Sequence, residues 1–251
     1  MRTLKNILVI LTLFLLIIEP VKSQNLNIDK EKLKRETITY PNILKMNTLA
    51  LLFKKISLVY ERRIIPKVSA GLGVGIKYAG TEPKLLSINH SDINIDIGKI
   101  HGYSITPEAK YYIRSCDPKQ LDGLYLSLYL RYTNYETAAN FDYLSKHYHA
   151  NIGMSEFGVG FELGYQLIIR KRFSIDFLFL GPRFSNNHMT FEFKQPPSQR
   201  LLGDISDYMN KVITKFGFDY NIDIQKGRGN KAETSFISAN TRFGISLGFV
   251  F

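Results

Sequence analysis

The stretch Phe157-Gly158-Val159-Gly160-Phe161-Glu162-Leu163-Gly164-Tyr165-Gln166-Leu167 alternates between large apolar side chains and small or polar ones. A period of two places the two kinds of side chain on opposite faces of a β-strand, because successive side chains point to opposite sides of the backbone. The length of the stretch is that of a tilted strand that crosses a bilayer. It therefore predicts a membrane-spanning strand with one apolar and one polar face.

The same alternation recurs along the chain in four further stretches of similar length. In each of them an apolar or aromatic residue occupies every second position, and the positions between are mostly glycine, polar or charged. These stretches are residues 68–78, 105–114, 124–132 and 242–251. They predict further strands of the same kind, as in the wall of a membrane barrel.

Three weaker candidates bring the number of predicted strands to eight. They are residues 44–53, 56–62 and 173–180, and the alternation of the last fails at Gly181-Pro182, where we expect a bulge or bend. A closed antiparallel barrel of a bacterial outer membrane requires an even number of strands. The sequence therefore predicts the all-β class, as an antiparallel up-and-down transmembrane β-barrel of eight strands. Ten strands are the alternative, because residues 218–225 could pair inside the barrel.

The connections between the predicted strands alternate in length, which is the layout of outer-membrane barrels. The short turns are residues 64–67, the segment around Cys116 and residues 169–172. The long connections, predicted to be extracellular loops, are residues 79–103, 134–156 and 185–237. The hairpin Phe53-Lys54-Lys55 is the exception, because it is short and lies on the long-loop side.

One short helix is predicted in the largest loop, over residues 204–216. Its apolar stripe consists of Ile205, Met209, Val212, Ile213 and Phe216, and Gly217 follows as a stop signal. Such a helix could cover the barrel mouth, dock a partner or pack on its own loop.

The polar face of the strands indicates that the apolar face touches lipid. With the apolar side chains outward, four acids and four bases point into the barrel: Glu61, Glu108, Glu162, Asp176, Lys77, Lys110, Arg131 and Arg242. Charges removed from water are costly unless they are paired, so this balanced set predicts an ion network in a lumen filled by side chains, without a water-filled pore. The alternative is a soluble, lipocalin-like barrel with the apolar face inside.

The N-terminus has the layout of a secretory signal peptide. A basic start is followed by the apolar run Ile7–Ile18 and then by Glu19-Pro20. The expected cleavage lies between Ser23 and Gln24, after small residues of the kind that signal peptidase needs. An uncleaved N-terminal anchor is the alternative. The predicted division of the chain is a signal peptide (1–23), a periplasmic leader (24–42) and an outer-membrane β-barrel (43–251).

The C-terminus resembles the signal that the barrel-assembly machinery recognises, which makes that machinery an expected partner during biogenesis. Outer-membrane proteins generally end in an aromatic residue within an alternating strand, and Leu247, Phe249 and Phe251 match that pattern. Because the chain has no tryptophan, an aromatic belt at the membrane interface would consist of Tyr78, Tyr103, Tyr132, Tyr165 and Phe251.

The chain is basic, with a formal net charge of +11. Its lysines and arginines are scattered, without a recognition helix or an aromatic RNA-binding motif, which argues against nucleic acid as a partner. Outer-membrane lipid and the phosphates of lipopolysaccharide are the expected counter-charge. The basic residues of the predicted outward loops are Lys54, Lys55, Lys146, Lys194, Arg200, Lys211, Lys215, Lys226, Arg228 and Lys231.

No stretch predicts a catalytic, metal-binding or cofactor-binding site. His147 and His149, near Asp142, could supply metal ligands or a base with an orienting carboxylate, but a solvated loop is the default interpretation. The glycines of the stretch 71–75 share one strand face, so packing in the lumen explains them better than a phosphate-binding loop. The stretch His90-Ser91-Asp92 holds triad residue types, but adjacent residues do not face one another.

Several stretches carry a resemblance to a known family. They are Lys45-Met46-Asn47 through Arg62, Ile105-Thr106-Pro107-Glu108, Ile222-Asp223-Ile224 and the last strand, 242–251. They resemble an uncharacterised outer-membrane barrel family of Bacteroidetes-type bacteria, a domain of unknown function, over nearly the whole mature chain. The resemblance implies the barrel fold and implies no activity.

The function expected from the sequence is that of a non-enzymatic outer-membrane barrel with a structural or surface-interaction role. One alternative is an outer-membrane lipid or peptide hydrolase that acts through extracellular loop carboxylates and histidines. The other is a small diffusion channel.

Overall fold

The chain forms one antiparallel sheet with two helices in a computed structural model, which describes residues 42–80, 88–90, 93–114, 121–144, 146–170, 172–215 and 222–251. The predicted signal peptide, its cleavage site at Ser23 and Gln24, the leader up to residue 41 and Cys116 lie outside the described residues. The strands are β1 (Asn42–Asn47), β2 (Lys55–Ile65), β3 (Val68–Gly80), β4 (Ile88–His90), β5 (Ile93–Ile97), β6 (Ile100–Arg114), β7 (Gly123–Tyr143), β8 (Lys146–Ile169), β9 (Phe173–Phe193), β10 (Gln225–Lys226) and β11 (Lys231–Val250). The helices are α1 (Leu49–Leu52) and α2 (Gln199–Lys215).

Eight of these strands close into a ring. The order around it is β1-β2-β3-β6-β7-β8-β9-β11, and β11 returns to β1 through the pairs Ile43↔Val250 to Asn47↔Ser246. Every neighbouring pair is antiparallel, so the prediction of an eight-stranded antiparallel barrel is confirmed. The short strand β10 pairs only with β11 and does not enter the ring, so the ten-stranded alternative is wrong.

The outer face of the ring is apolar, and its inner face is polar. Side chains such as Leu72 and Phe161 are about half exposed on the outside, at 49% and 51%, whereas Glu61 and Lys110 are buried inside. This arrangement excludes the soluble, inside-out barrel. No described helix is long and apolar enough to cross a membrane.

Aromatic side chains mark the two ends of the apolar outer face. Tyr78, Tyr103 and Tyr132 are exposed at the end where the long hairpins lie, and the rings of Tyr103 and Tyr132 are 6.2 Å apart. At the opposite, short-turn end the rings of Phe173 and Phe249 are 6.1 Å apart. Rings of this kind suit the level of the lipid head groups.

Four strands continue far beyond the apolar band, and their two faces exchange roles there. On β7 the outward side chain changes from Leu128 in the band to Asp142 beyond it, while the inward side chain changes from buried Ser127 to buried Phe141. The same exchange occurs on β8, β9 and β11. The prediction that residues 134–156 and 185–237 are loops is therefore wrong for 134–143, 146–156, 185–193 and 231–237, which are strand.

We call the described residues of 134–155 and 187–237 the outer platform. It has a hydrophobic core of its own, to which α2 contributes Leu201, Leu202 and Ile205. The strands contribute Ala139, Phe141, Tyr143, Tyr148, Ala150, Phe191, Phe193 and Ala232, and the segment after α2 contributes Ile222 and Ile224. The predicted helix thus exists, begins five residues earlier than expected, at Gln199, and packs on the inward face of the long strands.

A bulge in β9 explains why the alternation fails near Gly181-Pro182. Leu178 and Leu180 pair with adjacent residues of β8, so Phe179 is the extra residue, and Phe179 and Leu180 both face outward. The inward positions of β9 are therefore even-numbered before the bulge and odd-numbered after it. The expected irregularity is present, slightly before the predicted residues.

The first predicted strand, residues 44–53, is shorter than expected. β1 ends at Asn47, and residues 49–52 form the short helix α1. The side-chain oxygen of Asn47 accepts a hydrogen bond of 3.0 Å from the backbone N–H of Ala50, which stabilises the turn into α1. The wall of the barrel is therefore lowest at the β1–β2 hairpin.

Replacing Phe193 by alanine should loosen the outer platform and leave the barrel closed. Phe193 is 2% exposed in the platform core, and a buried phenylalanine truncated to alanine costs roughly 3–5 kcal/mol. Limited proteolysis should cut the platform faster, while the folded barrel keeps its heat-modifiable gel mobility. Glu192→Ala, at the exposed neighbouring position, is the control, and equal proteolysis of both variants would contradict the assignment.

Candidate functional site

Lys45 lies at the centre of a buried ion cluster in the lumen. Its Nζ donates hydrogen bonds to Gln166 Oε1 at 2.6 Å and to Asp176 Oδ2 at 2.7 Å. It also forms an ion pair with Glu61. Strand β1 supplies this lysine because its odd positions point inward, between the outward Leu44 and Met46.

Lys110 is the second base of the same cluster. Its Nζ lies 2.9 Å from Asp176 Oδ2 and 3.6 Å from both Glu61 Oε2 and Glu108 Oε1. Two lysines thus share two buried carboxylates, Glu61 and Asp176, which balances the charge. Because burial removes these charges from water, the balance is what makes it tolerable.

Tyrosine hydroxyls complete the coordination of the two carboxylates. Tyr112 donates to Glu61 Oε1 at 2.6 Å, and Tyr125 donates to Asp176 Oδ1 at 2.6 Å. Hydrogen bonds to a charged acceptor are stronger than those between neutral groups. They therefore replace much of the hydration that the carboxylates lose on burial. We call Lys45, Glu61, Lys110, Tyr112, Tyr125, Gln166 and Asp176 the lower cluster.

An apolar group lies next to the lower cluster at the short-turn end. It consists of Ile43, Tyr112, Leu121, Tyr125 and Val250, all of them buried. The rings of Tyr112 and Tyr125 are 5.7 Å apart and belong to both groups. These buried side chains lie in the lumen at this end, next to the ion pairs of the lower cluster.

A second set of ion pairs lies nearer the outer platform. Arg242 pairs with Glu162 and lies 3.8 Å from Glu108, and its guanidinium stacks 4.4 Å from the centre of the Tyr129 ring. Arg183 Nη2 lies 2.6 Å from Glu156 Oε1. These two pairs tie β11, β8, β6 and β9 together across the lumen.

The ion pairs described above include six of the eight predicted network residues. Glu61, Lys110 and Asp176 belong to the lower cluster, and Glu108, Glu162 and Arg242 lie above it. Of the other two, Arg131 Nε donates to Thr133 at 3.2 Å, and Lys77 Nζ lies 5.9 Å from the centre of the Tyr135 ring.

Four lumen ions were not predicted from the sequence. Lys45 lies in the stretch 44–53, both faces of which are largely apolar in sequence. Glu156 lies in a predicted loop, and Arg183 lies beyond the end of a predicted strand. Lys55 was expected in an outward loop, but its Nζ donates to Ser104 inside the barrel at 2.9 Å. The alternation itself could have identified them. All four occupy inward positions when the strands have their observed lengths and the parity of β9 is reversed after its bulge.

Glycines of the strands make room for these long side chains. A Cβ added at Gly71 would lie 2.8 Å from Glu108 Cγ, and one at Gly160 would lie 2.7 Å from the Tyr129 ring. Both distances are too short for a real contact. The glycine stretch 71–75 therefore serves packing in the lumen.

Above the lower cluster the lumen is open. A cavity of about 340 Å³ is lined by charged residues and by Ser57, Ser104, Thr106 and Ser246, and it extends to α1. The expectation that side chains fill the whole interior is therefore wrong for this part of the barrel.

The histidines singled out in the sequence lie on the outward face of the platform. His147 Nδ1 lies 2.5 Å from Asp142 Oδ1, and His149 Nδ1 lies 2.7 Å from Asn140 Oδ1. Among the described residues, no group of three or more histidine, cysteine, aspartate or glutamate side chains could hold a metal ion. Of the stretch 90–92, only His90 is described, at the end of β4.

The closed ring, its apolar outer band and its compensated lumen charges define a transmembrane β-barrel of the outer-membrane type. The chain belongs to the family described as protein of unknown function (DUF3575), whose model matches residues 37–182. That match covers more than half of the chain.

Comparison with other proteins adds two solved structures. The chain is similar to CarO of Acinetobacter baumannii at 9% identity, with a TM-score of 0.38 over 84% of this chain and 96% of CarO. It is similar to Ail, the attachment invasion locus protein of Yersinia pestis, at 10% identity, with a TM-score of 0.30 over 84% of this chain and 95% of Ail. No curated protein sequence matches the chain.

Replacing Lys45 by methionine should destabilise the barrel strongly. The change leaves Glu61 and Asp176 with less positive charge, and breaking a buried ion pair costs roughly 3–5 kcal/mol. The urea midpoint of unfolding, followed by the loss of the fast-migrating folded band, should fall. Lys54→Met, at an exposed position, should leave the midpoint unchanged.

The double variant Lys45→Met with Glu61→Gln separates charge from packing. It removes one base and one acid together, so it should regain part of the lost stability. Equal midpoints for Lys45→Met and Lys54→Met would show that the lower cluster does not stabilise the barrel.

Proposed function

We propose that this protein is a non-enzymatic outer-membrane barrel without a continuous pore, whose outer platform faces the cell exterior and meets other molecules there. The observation that carries the proposal is the platform itself. A barrel needs strands of about ten residues to cross a membrane, whereas β7, β8, β9 and β11 have 20 to 24 residues. The additional length is folded around its own core, which supports a role outside the membrane.

The lumen supports the absence of a continuous pore. The lower cluster and the apolar group beside it occupy the short-turn end, and their side chains are buried and held by several partners each. Opening a path would require breaking buried ion pairs, which is costly. The cavity above them therefore ends blindly at the lower cluster.

The platform carries exposed basic side chains that could bind the expected lipid partners, among a similar number of exposed acids. Its exposed basic side chains are Lys146, Lys194, Arg200, Lys211, Lys226, Arg228 and Lys231. Near the membrane surface such residues attract anionic head groups, including lipopolysaccharide phosphates. At the other end Leu247, Phe249 and Phe251 are exposed on the outward face, where the barrel-assembly machinery could contact them during insertion.

Conductance measurements test the closed lumen. The purified barrel in a planar bilayer should show no stable current steps above the background of protein-free bilayers, because the lower cluster fills the lumen. A double variant, Tyr112→Ala with Tyr125→Ala, removes two large rings from the seal and should produce measurable steps. Stable steps of the unmodified protein would favour the diffusion channel instead.

Complementation of a deletion strain separates a surface role from a hydrolase. The pair His147–Asp142 is the observation that favours a hydrolase, because an oriented histidine can act as a base. On the proposed function, a gene with His147→Ala and His149→Ala should complement the deletion as fully as the unmodified gene, whereas one with Phe193→Ala should complement it poorly. The opposite order, with both variants present in the membrane at equal amounts, would support the hydrolase.

A further inference from the structure

The cavity above the lower cluster carries an excess of positive charge. Its lining contains five bases and three acids: Lys45, Lys55, Lys110, Arg131, Arg242, Glu108, Glu162 and Asp176. Glu61, just below the cavity, pairs with Lys45 and Lys110 as well. Counting Glu61, the bases still outnumber the acids by one, and the two lining bases that take part in none of these ion pairs are Lys55 and Arg131.

These two bases keep hydrogen-bond donors that no described residue uses. Lys55 Nζ donates to the Ser104 hydroxyl and Arg131 Nε donates to the Thr133 hydroxyl, and neither forms an ion pair within the described chain. An ammonium has three N–H donors and a guanidinium has five. Nearby, Arg242 Nε is buried without a hydrogen-bond partner in the described part of the protein.

The three bases also repel one another. Lys55 interacts unfavourably with Arg131, Arg242 and Arg183 and favourably with Glu156, which is itself paired with Arg183. Lys55, Arg131 and Arg242 line the same cavity. Like charges that are shielded from water destabilise one another more than they do in solution. A negative group placed between them would remove this repulsion and satisfy the unused donors.

We propose that this cavity binds an oxyanion of the phosphate or carboxylate type, held by Lys55, Arg131 and Arg242. The hydroxyls of Ser57 and Ser104 line the same space and supply further donors. The oxyanion does not pass further through the barrel, because the lower cluster closes the lumen beneath the cavity. The site is independent of the outer platform and of its surface role.

The position of the opening favours an amphiphile as the carrier of the oxyanion. β1 ends at Asn47, and the Thr48 N–H makes the last backbone bond to β11, at the carbonyl of Ile245. On the edge of β11 that faces β1, no described strand pairs with Thr241–Gly244. These residues line the cavity together with α1 and Phe53. The cavity therefore reaches the side of the barrel where the wall is lowest.

Exposed apolar side chains surround this opening. Leu52, Phe53 and Phe243 are 77%, 69% and 68% exposed. Acyl chains could lie against these side chains while the head group reaches the bases inside. The bases of the cavity thus fit the anionic head group, and the apolar rim fits the hydrocarbon chain, of an alkyl phosphate, a fatty acid or an anionic lipid.

Titration calorimetry of the full-length refolded protein in a non-ionic detergent tests the site. Dodecyl phosphate should bind with saturation at one site per barrel. Lys55→Gln with Arg131→Gln should weaken binding by about ten- to a hundred-fold, as expected for lost hydrogen bonds to a charged group. Lys54→Gln, one residue away and exposed, should not change the affinity.

Two further ligands distinguish the sources of the oxyanion. Weaker binding of inorganic phosphate than of dodecyl phosphate supports an amphiphile, and equal binding supports a free oxyanion at the same bases. Equal binding of uncharged dodecanol, or no saturable binding of dodecyl phosphate, would overturn the site. Heat-modifiable mobility shows whether the double variant is folded; if it is not, Lys55→Gln alone must still weaken binding, and an unchanged affinity would also overturn the proposal.

Discussion

The lower cluster is the interaction on which the rest of the barrel depends. Lipid surrounds the ring, so every polar group at membrane depth must find its partner inside the protein. Glu61 and Asp176 meet this requirement through Lys45, Lys110 and two tyrosines, and the six residues together come from five different strands. The cluster therefore stabilises the closed ring as a whole, because no two neighbouring strands could satisfy these charges alone.

The same strands obey opposite patterns on the two sides of the membrane boundary. Within the apolar band lipid touches the outward side chains, so Leu128 and Phe161 face out and Ser127 faces in. Beyond it water touches the outward side chains, so Asp142 faces out and Phe141 faces in. The surroundings change from lipid to water along an unbroken strand, and this explains why the apolar and polar faces exchange sides. One hairpin can therefore form part of the membrane wall and then part of the platform.

The lumen residues that could be predicted from the sequence are those in strands with regular alternation of apolar and polar side chains. Glu108, Glu162 and Arg242 lie in stretches of regular alternation, and the structure places them together. Lys45 was missed because its strand has only six residues and runs directly into α1. Arg183 was missed because the bulge at Phe179 reverses the parity after it, so the alternation of residues 173–180 does not extend to Arg183.

The sequence by itself determined the class of fold, the number of strands in the ring and which face meets lipid. These follow from local alternation, since the period of two and the chemistry of each face are properties of neighbouring residues. Only the tertiary structure decided which charges pair, where the lumen stays open and that the long hairpins fold around a core of their own. Such features depend on the register and stagger of strands distant in sequence, which place Lys45 beside Asp176 and leave Lys55 and Arg131 facing a cavity.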